Sequence, residues 1–390
     1  CTWLGAGGRP AGRTEGAAGH LGDRRPRREG RLVMRAVCAV LLAGWALTGA
    51  TLSLPGDHGA HPDQRTEWWY VTGWLETAAG EELGFQVTFF RTRVDQPEAH
   101  PSAFAARQLI IAHAALSDPA LGRLRHGQRI ARASHGLAGA DQQQARAWIG
   151  DWILERKAGS WETRVEAEDF TLALDLAPVQ PPLLHGEDGY SRKGQDPAAA
   201  SRYYSLPRLA VTGSVIIEGR TQEVTGSAWL DHEWSNALME PEAIGWDWVG
   251  LQLDDGGSLM AFRMRGKDGG VRWAAATRRD AAGRVVHHGP ETVVFRPGRR
   301  WRSPRTGVEY PVEFELQVGD ERLDLRPLMD DQESDSRQTT GAIYWEGAVR
   351  AQDVAGRRGR GYLELTGYGT PLVLPGGGAD SARQTPSSLP

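Results

Sequence analysis

From residue 67 to residue 368 the apolar residues come in short runs broken by Gly, Asp, Pro and Asn, and no long stretch holds them at helical spacing. Runs of this kind, rich in aromatic and β-branched residues, read as strands. The first is Glu67-Trp-Trp-Tyr-Val-Thr-Gly-Trp-Leu-Glu76. The turn signal Ala78-Ala-Gly80 follows it, and Leu83-Gly-Phe-Gln-Val-Thr-Phe-Phe-Arg91 resumes the pattern, so the pair makes a β-hairpin. Further strands are expected at 108–116, 147–155, 169–176, 208–218, 222–234, 246–253, 258–265, 271–277, 311–317, 343–349 and 361–368. The fold class is therefore all-β, an antiparallel barrel or sandwich. The segment Pro178–Ala200 is expected to be a long loop, and His287-His288 to sit in a turn.

An internal echo divides the chain. Trp69-Tyr-Val-Thr-Gly73 aligns with Trp246-Asp-Trp-Val-Gly250 at an ungapped offset that also sets Gly80 on Gly257 and Phe85 on Phe262. Each copy is strand, Gly-containing turn, strand, which implies two similar β units. Residues 51–240 form the expected first unit and 241–375 the second, with a Gly/Ser/Pro-rich tail at 376–390 expected to be disordered.

The start of the chain has a different character. Residues 1–33 carry seven Arg among Gly and Ala with no apolar periodicity, and are expected to be a non-native or disordered extension. Residues 34–50 have the layout of a signal peptide: Met34 and Arg35, the apolar run 36–47, then Thr48-Gly49-Ala50 for cleavage. The apolar run is too short to span a membrane. The expectation is an exported, periplasmic protein. Both cysteines, Cys1 and Cys38, fall in the part removed, so neither a disulfide framework nor a thiolate metal site is expected.

Lys plus Arg number 45 against 49 for Asp plus Glu, so no basic excess exists to hold a polyanion, and nucleic acid is not expected as a partner. Nucleotide-binding glycine loops and the Gly-x-Ser-x-Gly elbow are absent. His61, Asp63 and Glu67 could ligate a metal, but no paired-His spacing accompanies them, so no metal site is expected.

The segment Trp229-Leu-Asp-His-Glu-Trp-Ser235 carries the densest chemistry. On a strand, Trp229, Asp231 and Glu233 point one way while Leu230, His232 and Trp234 point the other. Two acids two residues apart either share a proton and supply a general acid, or form a solvated acidic face backed by a core histidine. In Gly245-Trp-Asp-Trp-Val-Gly-Leu-Gln252, Asp247 shares a face with Val249, Leu251 and Leu253. A carboxylate there is either at an edge or a functional group with a partner. Most of the aromatic residues, including 15 Trp, must be core, yet a barrel of this kind can also enclose an apolar cavity.

These motifs, with His61-Pro-Asp63, Ala112-His-Ala-Ala-Leu-Ser-Asp118, Tyr203-Tyr-Ser-Leu-Pro-Arg208, Tyr344-Trp-Glu-Gly-Ala-Val349 and Gly361-Tyr-Leu-Glu-Leu-Thr-Gly-Tyr368, resemble the lipocalin-like carotenoid 1,2-hydratase (hydroxyneurosporene synthase, CrtC) superfamily, in particular its AttH-like exported branch. The resemblance runs from about His58 to about Tyr368. It implies two lipocalin-like antiparallel β-barrels in tandem and no cofactor. It further implies Asp231 as acid with His232 as proton partner, and Glu233 and Asp247 join them as candidate catalytic residues. Trp229, Trp234, Trp246 and Trp248 would be cavity walls. Trp68, Tyr70, Gln86, His113, Tyr204 and Gln252, all within these motifs, complete the candidate ligand-binding set.

Three roles follow. The first is a carrier of a large apolar lipid or isoprenoid-like ligand, accessory to an inner-membrane ABC-type permease. The second is a cofactor-free hydro-lyase or cyclase working by acid catalysis. The third is a ligand-free scaffold subunit. A closed pocket with a convergent acid would favour catalysis, an open apolar cavity without one the carrier, and solid packing the scaffold.

Overall fold

The computed structural model describes residues 51–94 and 107–372. The extension and leader expected at 1–50 and the tail expected at 376–390 lie outside those residues. Among the described residues there is no α-helix, only two single-turn 3-10 segments, Gly56–His58 and Pro290–Thr292. The rest is antiparallel strand, arranged as two nearly closed barrels side by side.

The first sheet has 13 strands between Thr66 and Ala237. Its central strand, Thr66–Thr77, pairs with Glu82–Arg93 on one side and with the last strand, Arg220–Ala237, on the other. The second sheet has 10 strands between Ala243 and Leu365. It repeats the connectivity: Ala243–Leu253 pairs with Ser258–Gly266 and with the last strand, Arg358–Leu365. The echoed hairpins therefore hold equivalent places in the two barrels.

The ungapped echo nevertheless fails in one respect. Trp69 and Phe85 are packed inside the first barrel. Trp246 and Phe262, their aligned partners, lie on the outer face of the second. A shift of one residue carries every side chain of a strand to the opposite face. The structural equivalent of Trp246 is Trp68, and that of Trp248 is Tyr70.

Period-two alternation sorts the apolar residues into three cores. One fills the first barrel around Trp69, Phe85, Phe89 and Trp161. A second fills the other barrel around Tyr310, Phe314 and Trp345. The third lies between the barrels, where Tyr70, Trp74, Tyr203 and Trp229 meet Trp248, Met260, Phe262 and Tyr362. Sheets that bury both faces account for the near-continuous burial along Thr66–Thr77 and over Ala228–Ser235 of the last strand. The barrels approach so closely that a Cβ on Gly84 would lie 2.6 Å from the Cβ of Ala348.

Polar contacts cross this seam. Trp74 Nε1 donates to the Gly361 carbonyl at 3.0 Å. Gln252 Nε2 donates to the carbonyls of Pro207 and Ala228 at 3.0 and 2.7 Å. Proline has no N–H to give a ladder, and the Ala200–Ile217 strand breaks register between Leu206 and Leu209. The bulge there turns the Pro207 carbonyl toward the second barrel.

Several elements differ from expectation. The strand expected over 147–155 is two strands, Arg146–Ile149 and Trp152–Lys157, because Gly150 adopts a positive φ and turns the chain. Tyr203 and Tyr204 lie inside a strand that begins at Ala200. The expected loop Pro178–Ala200 contributes two short strands, Leu183–Leu184 and Tyr190–Arg192, both paired to Ala200–Ile217. His287 and His288 lie on a strand, Val285–His288. Arg123–Arg132 and Ser160–Glu166 are also strands, hidden in the sequence by their many charged residues.

Candidate functional site

A cavity of about 100 Å³ opens between the two barrels, not inside either. The barrel interiors are filled by their own aromatic side chains, so the enclosed space falls where two outer faces meet. The first barrel contributes Trp68, Tyr70, Thr88, Phe90, Tyr203, Asp231 and Glu233. The second contributes Trp246, Trp248, Phe262, Met264, Tyr344, Glu346 and Glu364. Lys193 enters from the Pro178–Ala200 segment, and Leu238 from the link between the barrels.

Asp231 is the best-connected acid of the cavity lining. Its Oδ2 accepts from the Tyr203 hydroxyl at 2.6 Å. Its Oδ1 accepts from Ser205 Oγ and from Trp229 Nε1, each at 2.5 Å. Tyr203 in turn accepts from Trp248 Nε1 at 2.9 Å, and His185 Nε2 lies 2.6 Å from Ser205 Oγ. Burial pushes the Asp231 carboxyl up to about 7 even though the three hydrogen bonds favour its charged form. At neutral pH such a group both gives and takes a proton.

Glu233 is held differently. Lys193 Nζ lies 2.8 Å from its Oε1, and Ser201 Oγ donates to the same oxygen. The buried ammonium also sits over the rings of Phe262 and Tyr203, at 4.2 and 4.7 Å. Glu233 and Lys193 thus neutralise each other in an aromatic setting.

Across the cavity, Glu346 and Glu364 face each other on paired strands. Glu346 is 2% exposed, and its Oε1 has no hydrogen-bond partner. Burial, then the charge of Glu364, pushes Glu346 far above the usual carboxylate range. Burial likewise raises Glu364, with the Trp246 indole beside it.

The candidate residues from the sequence divide by face. Asp231, Glu233, Trp68, Tyr70, Trp246 and Trp248 line the cavity. Trp229 stands behind its wall, edge-on to Trp248 with ring centres 6.4 Å apart. His113 reaches it indirectly, its Nδ1 being 2.5 Å from the hydroxyl of Tyr344. Gln252 joins the barrels, and Gln86 donates to Thr88 Oγ1 one pleat from the cavity.

His232, Trp234 and Tyr204 point into the first barrel instead. There His232 Nε2 and His61 Nδ1 lie 2.9 and 2.8 Å from Glu67 Oε1, while Arg91 Nε donates to Glu67 Oε2 at 2.6 Å. Trp234 stacks on His61 with ring centres 3.7 Å apart. His232 thus cannot be the proton partner of Asp231, because adjacent residues on a strand face opposite ways. The group nearest that role is the Ser205–His185 pair.

Asp247 is fully buried in the second barrel and saturated by Arg263 Nε at 2.6 Å, Arg265 Nε at 2.9 Å and the Tyr368 hydroxyl at 3.0 Å. It is a paired structural anion on the face of its strand opposite the cavity-lining Trp246 and Trp248.

The atoms of His61, Glu67 and His232 lie within 4.8 Å of one another, a spacing that could hold a cation. Burial raises Glu67, but hydrogen bonds from His232 and His61, with the charge of Arg91, outweigh it and hold the group well below the usual range. Arg91 supplies a counter-charge to Glu67 in the same cluster.

Lys193, Tyr203, Glu346 and Glu364 are site residues that sequence reasoning missed. The strand alternation that places Trp248 outward applies equally to Tyr344 and Glu346, and was the available signal. Lys193 gave none, because it reaches the site from irregular chain.

Residues 46–368 match the family model described as AttH-like. A crystal structure of an AttH assignment from Nitrosomonas europaea is 51% identical, covers 83% of this chain and 98% of its own, and superposes with a TM-score of 0.78. Kievitone hydratase from Nectria haematococca is 14% identical, covers 82% of this chain and 94% of its own, and has a TM-score of 0.65. That likeness concerns the fold. A ceramide-binding protein of Schizosaccharomyces pombe is 36% identical over 75 residues, which make up 18% of this chain and 20% of that protein. The match thus spans about a fifth of the curated relative's length.

Proposed function

This chain belongs to the AttH-like family, and we propose that it binds an apolar small molecule between its two barrels and acts on it by acid catalysis without a cofactor. The observation that carries this reading is Asp231: a buried carboxyl raised to about 7, lining an aromatic cavity and ringed by three hydrogen-bond donors. A group poised near neutrality suits general acid catalysis.

The step is protonation of a carbon–carbon double bond. The Asp231 proton forms a new C–H bond with the alkene electrons, and the neighbouring carbon becomes a cation. Trp68, Tyr70, Trp246 and Trp248 present ring faces and edges around it. Attack by water, with loss of a proton back to the carboxylate, completes hydration. Attack by a second double bond of the same substrate forms a ring and moves the cation to a new carbon, and loss of a neighbouring C–H proton to the Asp231 carboxylate completes cyclisation. Tyr203, Ser205 and Trp229 then stabilise the carboxylate that Asp231 has become.

A carrier role is the second reading, favoured by the stretch similar to a ceramide-binding protein. The leader expected at 34–50 would place either activity in the periplasm, with an ABC-type permease as a possible partner for the carrier.

The test is isotopic. Acyclic isoprenoids incubated with the protein in D₂O should gain carbon-bound deuterium, read by mass spectrometry. Asp231→Asn should lower the rate by about 10²-fold or more. Incorporation that is undiminished in the variant rejects Asp231 as the acid. Retention of intact lipid by protein from its own host, with no incorporation, would favour the carrier.

A further inference from the structure

The cavity holds more carboxyl groups than cations, and burial favours their protonated forms until a cation arrives. Asp231, Glu233, Glu346 and Glu364 all line it, and Lys193 is the one cation among the described lining residues. Lys193 is committed to Glu233 at 2.8 Å. On the opposite wall Glu346 and Glu364 face each other across paired strands with no cation between them. Like charges in that register are destabilising. Burial keeps water from relieving them, since Glu346 is 2% exposed.

Two polar atoms on this wall are left over. Glu346 Oε1 and the Tyr70 hydroxyl are both buried and have only each other, short of a well-formed hydrogen bond. Buried polar atoms without partners are rare, and each calls for a reason. Both belong to residues that line the cavity. Trp68, Trp246, Trp248 and Tyr344 surround them with ring surface, which attracts positive charge in a dry site. The Glu346–Glu364 pair has the Tyr70 hydroxyl and the Trp246 indole beside it but lacks the counter-cation that an ammonium group would bring.

We propose that the wall formed by Glu346, Glu364 and Tyr70 is a recognition site for a basic nitrogen, so that the ligand is an amphiphile with an amine at the end that enters the cavity. This rests on the reading that the inter-barrel cavity is the ligand site. The ammonium hydrogens donate to Glu346 Oε1, both carboxyls become charged around it, and the hydrocarbon lies along the apolar lining of Phe90, Leu238 and Met264. A neutral alcohol offers a donor but no charge. A carboxylate meets repulsion.

Octylamine, 1-octanol and octanoate have matched chains and serve as probes, with binding followed by calorimetry and tryptophan fluorescence. The amine should bind roughly tenfold or more tightly than the alcohol, and octanoate weakest, because a charge pair in a desolvated site is worth more than a neutral hydrogen bond. Glu346→Gln should erase the preference for amine over alcohol while alcohol binding persists, which also shows that the cavity is intact. Glu364→Gln should weaken the preference too, and carries the test should the first variant not fold. Equal affinities in the unaltered protein, binding of none of the three, or a preference unchanged in both variants overturns the proposal. Asp231→Asn separates the two readings: it should lose deuterium incorporation yet keep the amine preference.

Discussion

At the scale of single residues, acidity at Asp231 is a balance of opposed effects. Burial raises it, and donors from Ser205, Tyr203 and Trp229 lower it. The outcome near 7 therefore depends on each donor. In Tyr203→Phe the ring still fills its place but one donor is gone, so the carboxyl should rise above about 7. The pH at which activity falls should move up with it, and carboxyl infrared or carbon NMR bands should titrate later. An unchanged titration would mean that Tyr203 donates elsewhere. The sequence made the outward face of Asp231 and Glu233 legible, because alternation on a strand is a property of neighbours. It left Asp247 open between an edge position and a paired group, and could not name Arg263, Arg265 and Tyr368, which come from elsewhere in the chain. The same limit hid the Glu346–Glu364 pair.

At the scale of elements, the strands legible in the sequence were those with aromatic and β-branched runs, such as Thr66–Thr77 and Ala243–Leu253. Arg123–Arg132 was not, since strands with a solvated face can carry Arg, His and Gln in quantity. The duplication was legible as an echo, but matching by identity paired an inward Trp69 with an outward Trp246. The seam between the barrels depends on small residues that sequence reasoning passed over. Gly84 packs against Ala348 where the barrels come closest. Gly84→Val would force overlap there and should cost about 1–3 kcal/mol. Urea unfolding checks the loss, and the cavity should suffer with it, visible as changed fluorescence of Trp246 and Trp248. Gly80, whose Cβ would meet nothing but whose φ is +78°, is a useful contrast. There the cost of alanine is backbone strain alone, and the tryptophan signal should stay as it is.

At the scale of the whole molecule, buried polar groups inside the first barrel and at the seam between the barrels titrate in opposite senses. His58 is held down to about 4, His126 to about 4 and His113 to about 3, each chiefly by burial. Unfolded, they would take up protons below about 6.5. Between pH 6.5 and 4 the unfolded chain thus binds more protons at these sites, and stability falls as pH drops. Asp231 acts the other way: its folded value of about 7 lies above the ordinary 3.8, so in the same window the folded state holds the extra proton and gains stability on acidification. Each such group changes stability by about 1.4 kcal/mol per pH unit at most. Three histidines against one aspartate leave a net loss, reinforced by His185 and His232 and offset in part by Glu346 and Glu364. Urea midpoints should therefore fall from pH 6.5 to pH 4.5. His113→Gln should make that fall shallower, because His113, bonded to Tyr344 and Thr339 of the second barrel, no longer competes for a proton. Asp231→Asn should make it steeper, because the opposing gain has gone. Parallel profiles for the three proteins would mean that neither group titrates as its surroundings require.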